Sequence, residues 1–425
     1  MASSGPPTGP PTGPPAGPPT GPPLSGPAPT GPCGGRACVV YDASLTAYDF
    51  GPSHPMNPLR VDLTMSLAGQ LGVLGDGGLS CVGAPDATED DLLTVHDPAL
   101  IEAVMRASED PTRADPARGL GTEDDPAFRD MHQASRHVVG ASIEAARRVW
   151  QGEAVHAANI AGGLHHAMPD RASGFCVYND VAVAIRWLLD HGARRVGYVD
   201  VDVHHGDGVE RIFYDDPRVL TVSLHETGQM LFPGTGFPGD RGGPDAEGSA
   251  VNVALPPGTS DAGWLRAFHA VVPPLLREFG PDVLVTQQGC DSHRDDPLAH
   301  LALSVDGQRA SYLALHDLAH ETSGGRWVAF GGGGYAIFDV VPRAWTHLLA
   351  VLAGSPLVPE LATPAAWRES VLERWGVQAP TRMTDGRHPV YRDWSEGFDP
   401  DTWLDRSIES TRQSVFPANG IDPVF

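Results

Sequence analysis

No lysine occurs anywhere in the 425 residues; all 29 basic residues are arginine. A phosphate-binding loop that needs its lysine and a Schiff-base mechanism are therefore excluded. Cysteine is scarce as well. Cys33, Cys38, Cys81, Cys176 and Cys290 are odd in number and contain no Cys-x-x-Cys pair. That argues against a disulfide framework or a thiolate zinc site and suits a reducing compartment. No apolar run is long enough to span a bilayer, and the N-terminus has no charged region followed by an apolar core. The expectation is a cytoplasmic protein without a membrane partner. Positive charge is in short supply, 29 basic against 53 acidic residues for a net charge of −24. A nucleic-acid backbone is thus an unfavourable partner and a neutral or cationic one is favoured. Neither a Gly-x-Ser-x-Gly elbow nor a His-Glu-x-x-His zinc motif is present. Gly234 to Gly239 has the Gly-x-Gly-x-x-Gly spacing but ends in Pro-Gly and opens no helix, so dinucleotide binding is rejected.

What is present divides the chain in three. Residues 1–35 are uncharged apart from the N-terminus and rich in Pro, Gly and Thr. Glycine does not recur at every third position, which rules out collagen and leaves a disordered, partly polyproline-II tail. Residues 36–360 form one catalytic domain in which strand-like and helical runs alternate. Strands are expected at 37–41, 196–203, 219–224, 250–254, 282–286 and 327–330. Helices are expected at 59–70, 97–106, 126–150, 180–191, 207–214, 261–279, 306–323 and 339–353. The long helix from Pro126 would bury Met131, Val138, Ile143, Ala146 and Val149. Such alternation gives an α/β fold, a single mostly parallel sheet with helices on both faces. Residues 361–425 are expected to be an irregular extension, because 376–425 is rich in Pro, Asp and Trp without clear periodicity.

In parallel α/β sheets ligands bind at the carboxyl ends of the strands. The unusual polar clusters of this chain fall at such ends. The strand from Val196 delivers Asp200, Asp202, His204, His205 and Asp207; residues two apart on a strand share a face, so Asp200, Asp202 and His204 should point the same way. The strand ending at Thr286 runs into Gln287-Gln288-Gly289-Cys290-Asp291-Ser292-His293. That ending at Phe330 runs into four glycines and Tyr335, and Asn159-Ile160-Ala161 runs into Gly162-Gly163-Leu164-His165-His166. Buried charge needs a partner or a cation. Asp202, His204 and Asp291 would give three protein ligands and an open position, the arrangement of a catalytic Zn2+, with Fe2+ also tolerated. Such a metal supports amide or ester hydrolysis. His225, His293 and His300 could line the site but carry no motif role.

Six motifs, in order, resemble the zinc-dependent histone deacetylase superfamily: Gly-Gly-Leu-His-His-Ala, Gly-Phe-Cys-Val-Tyr-Asn-Asp, Asp-Val-Asp-Val-His-His-Gly-Asp-Gly-Val, Phe-Pro-Gly-Thr-Gly, Gly-Cys-Asp-Ser-His and Gly-Gly-Gly-Gly-Tyr. Tyr-Asp-Phe-Gly-Pro at 48–52 and Asp-Pro-Leu-Ala-His-Leu at 296–301 look most like its bacterial branch, the acetoin-utilisation deacetylases. The resemblance covers residues 38 to 355 and implies an arginase/deacetylase-like fold. It implies zinc at Asp202, His204 and Asp291. His166 matches a general base and His165 its electrostatic or acid partner, with Asp200 and Asp207 orienting the two imidazoles. Tyr335 matches the hydroxyl that stabilises the oxyanion. A K+ or Na+ site is implied at Asp200, Ser223 and the carbonyl oxygens of Asp202, His204 and Leu224. Phe175 and Phe232 match the aromatic walls of a narrow channel, Gly174 leaves room in it, and Asp124 matches a rim carboxylate that grips the substrate backbone. The implied substrate is an acetylated protein or acetyl-lysine, hydrolysed by metal-activated water. Alternatives are a deacetylase of a small acetylated amine such as a polyamine, a ureohydrolase-like two-metal enzyme using Asp295 and Asp296, or a non-catalytic acyl-lysine binding protein.

Overall fold

The computed structural model describes residues 37–75 and 77–424; the Pro-rich stretch 1–35 and Cys33 lie outside them. Eight strands run in chain order as β1 (Ala37–Val40), β2 (Ser80–Val82), β3 (His156–Asn159), β4 (Val196–Asp200), β5 (Val219–Glu226), β6 (Ala250–Leu255), β7 (Val283–Gln287) and β8 (Trp327–Phe330). Eleven α-helices are described: α1 (Leu59–Gln70), α2 (Glu89–Leu93), α3 (Pro98–Glu109), α4 (Met131–Trp150), α5 (Asp180–Asp190), α6 (Asp207–Phe213), α7 (Asp261–Phe279), α8 (Val305–Ser323), α9 (Val341–Leu352), α10 (Ala365–Trp375) and α11 (Trp403–Val415). The strands form one sheet in the order β2-β1-β3-β8-β7-β4-β5-β6, and every pairing in it is parallel. This is the α/β architecture that the alternating elements require.

Both faces of the sheet are covered, and the strands sort their side chains accordingly. Val196 and Tyr198 of β4, Val283 and Val285 of β7, and Val328 and Phe330 of β8 enter one apolar layer with α3, α4 and α5. Their neighbours Val199, Leu284, Trp327 and Ala329 enter the other, with α1, α7, α8, α9 and α11. The two-residue period of a strand produces this division, and a strand buried on both faces has no use for polar residues except at its ends.

The long helix and the C-terminal extension depart from the sequence expectation. The long helix starts at Met131, not at Pro126, because the chain turns through Asp130 in a left-handed conformation (φ 64°), with the Asp130 N–H bonded to the Ser108 carbonyl at 3.0 Å. Ile143 lies on its half-buried flank, while Met131, Val138, Ala146 and Val149 are buried as expected. The C-terminal extension is more regular than its composition suggested. α11 places Ile408, Thr411, Arg412 and Val415 on one buried face, a helical spacing hidden among polar neighbours, and Thr411 donates to the Asn252 carbonyl of β6 at 2.6 Å.

An ion pair fastens that extension. Arg266 of α7 meets Asp405 of α11 through Nε and Nη2 at 2.8 and 2.7 Å, both side chains are about as buried as core residues (6% and 5% exposed), and the guanidinium lies over Trp394, 4.8 Å from its centroid. Removing one partner leaves an uncompensated buried charge. Asp405→Ala is therefore expected to cost about 3–5 kcal/mol, read as a lower urea midpoint at unchanged m-value. A loss below about 1 kcal/mol would instead mark a solvent-screened pair.

Candidate active site

β3, β8, β7 and β4 are four neighbours in the sheet. Being parallel, they end at the same edge, and the loops beyond them meet there. β3 leads to His165 and His166, β4 to Asp202 and His204, β7 to Asp291, and β8 to Tyr335. The sequence expected β4 to continue to Val203; it ends at Asp200. Beyond it the backbone N–H groups of Val203 and His204 turn to side chains, donating to Asp291 Oδ1 and Asp202 Oδ1 at 2.9 and 3.0 Å. Asp200 and Asp202 nevertheless flank the same imidazole, His165 lying 2.7 Å from the first and 3.9 Å from the second.

Asp202, His204 and Asp291 are buried, and one ligand atom from each lies within 4.8 Å of the others. His204 Nδ1 sits 3.1 Å from Asp202 Oδ1 and 3.2 Å from Asp291 Oδ2. The electrostatics are those of a cation site. Burial and the Asp202 charge push Asp291 up to about 7. Burial works against charge on His204, yet Asp202 and Asp291 hold it up at about 10. Two carboxylates and an imidazole converging in a dry place fit a divalent metal of the zinc class. The backbone comes close to make this possible: a Cβ at Gly333 would lie 1.9 Å from Asp291 Oδ2, and its N–H donates to Asp202 Oδ2 at 2.7 Å.

The two histidines beside this group are set apart by their partners. His165 Nδ1 donates to Asp200 Oδ2 and His166 Nδ1 to Asp207 Oδ1, each at 2.7 Å, which leaves Nε2 of each as the reactive nitrogen. Burial alone would drive His165 down, but Asp200 and Asp202 hold it up at about 9. His166 goes the other way, to about 4, through burial and the neighbouring His165 charge. Near neutrality one imidazole is protonated and the other is a free base.

A cavity of about 200 Å³ reaches this floor. Asp124 lies at its lining with Gly174, Phe175, Phe232, Leu298 and Tyr335, and His166 and His204 close it. Gly174 and Phe175 both have positive φ (57° and 69°), a conformation that costs a phenylalanine and is retained where function over-determines it. The Tyr48 hydroxyl fixes that turn, donating to the Phe175 carbonyl at 2.8 Å and accepting from the Val177 N–H at 3.0 Å. A Cβ at Gly174 would sit 2.6 Å from His166 Cδ2 and 3.0 Å from Phe232, so any side chain there obstructs the channel. Tyr335 packs edge-on against Phe175, centroids 5.8 Å apart, and burial together with Asp291 and Asp202 keeps its phenol well above the ordinary range. A larger cavity of about 730 Å³ lies alongside and shares Phe232 with it; its lining contains no converging ligand set.

Every site residue expected from sequence is thus placed at this edge except Asp200, Ser223 and Leu224, which lie beneath it on β4 and β5. Ser223 Oγ is 2.8 Å from His225 Nδ1, and Asp200 Oδ1 accepts from the Asp202 N–H at 3.1 Å. The three unassigned histidines have partners of their own: His225 the Gly236 carbonyl, His293 Asp385, and His300 Glu226, each at 2.8 Å. Asp296 accepts the N–H groups of Tyr335 and Leu298 at 2.8 and 3.0 Å and Asp295 is exposed, so neither joins the Asp202 group. Several supports escaped sequence reasoning. Gln287 Nε2 donates to Asp202 Oδ2 at 2.7 Å, Asp180 accepts the Gly163 and Leu164 N–H groups at 3.0 and 2.7 Å, and Arg60 donates to the Gly332 carbonyl at 2.6 Å. Only Asp180, a carboxylate inside Tyr-Asn-Asp, carried a signal in the motifs.

Residues 54–352 match the family model of the histone deacetylase domain. The chain is 39% identical over 378 residues to the acetoin utilization protein AcuC of Bacillus subtilis, spanning 88% of this chain and 94% of that one. It is 38% identical over 324 residues to AcuC of Staphylococcus aureus, spanning 76% and 83%. The crystal structure of an HDAC homologue from Aquifex aeolicus superposes with a TM-score of 0.77 at 27% identity, covering 88% of this chain and all of that one. The same values hold for an HDAC homologue complexed with SAHA. Fold, site and relatives agree: the chain is a deacetylase that belongs to the histone deacetylase family, in its bacterial acetoin-utilisation branch.

Proposed function

We propose that the chain hydrolyses the amide of acetylated lysine side chains in proteins, releasing acetate. The observation that carries this reading is the narrow cavity that ends on the Asp202, His204 and Asp291 group, the two histidines and Tyr335 together. Phe175 and Phe232 wall a passage suited to an unbranched aliphatic chain, and the Asp124 carboxylate at its lining would accept N–H groups of the substrate backbone. The acidic chain favours a cationic protein segment.

Asp202, His204 and Asp291 would hold Zn2+, with Fe2+ compatible with the same oxygen-rich set. When bound, the metal polarises the acetyl carbonyl and acidifies water. The remaining work belongs to side chains. His166, a free base near neutrality, takes the proton of the attacking water through Nε2 while Asp207 steadies the resulting imidazolium. Tyr335 keeps its proton and donates a hydrogen bond to the carbonyl oxygen as charge builds there. A protonated histidine of the pair then gives its proton to the departing amine. Asp200 is shared: its Oδ2 holds His165 and accepts the Tyr198 hydroxyl at 2.5 Å. A K+ or Na+ coordinated by Asp200, Ser223 and the carbonyls of Asp202, His204 and Leu224 would anchor the same loop from below.

The test is turnover of an acetyl-lysine peptide beside an acetylated polyamine by the zinc-loaded chain, with His166→Ala as control. Peptide turnover that falls about 10²–10⁴-fold in His166→Ala is the expected result. Turnover of the polyamine alone would overturn the substrate class. A pH profile adds a second reading. Activity needs His166 deprotonated, and burial lowers its pKa, so the acid limb of kcat/KM should lie below the ordinary imidazole range and disappear in His166→Ala.

A further inference from the structure

We propose that His156, His316 and His320 form a second divalent-metal site, of the zinc class, at the end of the sheet opposite the active site. His156 opens β3 and pairs in register with Trp327, the first residue of β8. The catalytic loops leave these two strands at their other ends. His316 and His320 come from the C-terminal half of α8, four residues apart, the spacing that puts two side chains on one helical face. One ring nitrogen from each histidine lies within 4.8 Å of the others, and the ring centroids are 4.6, 5.0 and 5.2 Å apart.

The imidazoles are held as metal-ligating imidazoles usually are. His156 Nδ1 is 2.8 Å from the Leu352 carbonyl. A carbonyl can only accept, so Nδ1 carries the proton and Nε2 carries a lone pair. His316 Nδ1 lies 3.4 Å from the carboxylate of its neighbour Asp317. Behind His320 the chain turns through Gly325 at φ 84°, where a Cβ would come within 3.0 Å of the ring; that glycine gives the imidazole its place.

Three histidines packed on a tryptophan could simply fill space, and Trp327 does stand edge-on to His156 and His316 at 5.7 and 6.1 Å. Packing alone does not require one ring nitrogen from each of three histidines to converge within 4.8 Å. The site also reaches solvent through His316, 20% exposed, which gives a metal a way in. Its three-nitrogen donor set differs from the oxygen-rich set of the active site and favours Zn2+, Ni2+, Co2+ or Cu2+ over Mg2+ or Mn2+. A metal there would tie α8 to β3.

The test is metal stoichiometry of the full chain, freed of metal, reloaded with Zn2+ and desalted, with Co2+ absorption as a spectroscopic check. Two metals per chain are expected in the wild type, and one in His316→Ala/His320→Ala. Alanine favours the helix and both positions are partly exposed, so that variant should fold; circular dichroism checks it. It should keep its deacetylase turnover. Losing a ligand should weaken the second site by more than about 100-fold, since altering a residue behind a ligand already costs about 10–100-fold. One metal per chain in the wild type, or two retained in the double variant, overturns the proposal. Asp202→Ala/Asp291→Ala provides the converse: it should keep the one metal that the histidine variant loses.

Discussion

Tyr335→Phe should lower kcat by about 10²–10³-fold, equivalent to about 2.7–4 kcal/mol of transition-state stabilisation, with metal content unchanged. The residue is fixed from three sides. Its N–H is taken by Asp296 at 2.8 Å, its ring lies edge-on to Phe175, and the glycine run before it is braced by Arg60. Phenylalanine preserves all three and deletes only the hydroxyl. Burial beside two carboxylates keeps that hydroxyl protonated throughout the working pH range, so it serves as a hydrogen-bond donor and not as a base. An interaction made only as charge develops on the carbonyl oxygen lowers kcat and kcat/KM together. Steady-state kinetics on one acetylated peptide separate the possibilities. A rise in KM with kcat intact would make Tyr335 a wall of the channel, and a loss of less than about threefold would remove it from the chemistry.

The fold was legible because a doubly covered parallel sheet leaves a strong trace. Strands such as Ala37–Val40 and Trp327–Phe330 are continuous apolar runs, and the helices between them repeat apolar residues every three or four positions. The site was legible because charged residues at the end of such a strand have no packing reason to be there. What escaped has equally physical causes. β2, only three residues and largely exposed, buries too little to show a pattern. The length of β4 was overestimated because Val201 and Val203 continue its alternation, whereas the backbone is diverted by the Asp202 and Asp291 carboxylates. α11 was hidden by Arg412 and Thr411, polar residues that are buried here by contacts with the Ala270 and Asn252 carbonyls of distant segments. The histidine triad was invisible because His156 lies 160 residues from His316 in the chain, and only the pairing of β3 with β8 brings them together.

Removing the catalytic metal should destabilise the chain, and Asp291→Asn should abolish activity while making the metal-free protein more stable. The two effects have one origin. Asp202 and Asp291 are fully buried and both face the His204 imidazole, while His165 is matched by Asp200, so with Asp291 ionised the cluster carries one negative charge in excess in a dry site. A cation neutralises it; at free metal about 1,000-fold above Kd, binding adds about 4 kcal/mol to stability, and a chelator takes that away. Asparagine at 291 is isosteric, can still accept the Val203 N–H that Asp291 Oδ1 accepts at 2.9 Å, and brings the cluster to neutrality. It is also a poor zinc ligand, so metal affinity should fall by more than about 100-fold. The pH dependence gives the sign. Asp291 is raised from the ordinary 3.8 to about 7, so its contribution to the stability of the metal-free fold is full below about 4 and is lost as pH rises through 7. The Asp291→Asn chain cannot titrate there and should keep what the wild type loses. Thermal unfolding of both metal-free proteins at pH 5 and pH 8 measures it: the gap should widen at pH 8 in favour of the variant. A variant that is the less stable of the two at pH 8 would show that these groups are a closed hydrogen-bond network, complete without a cation.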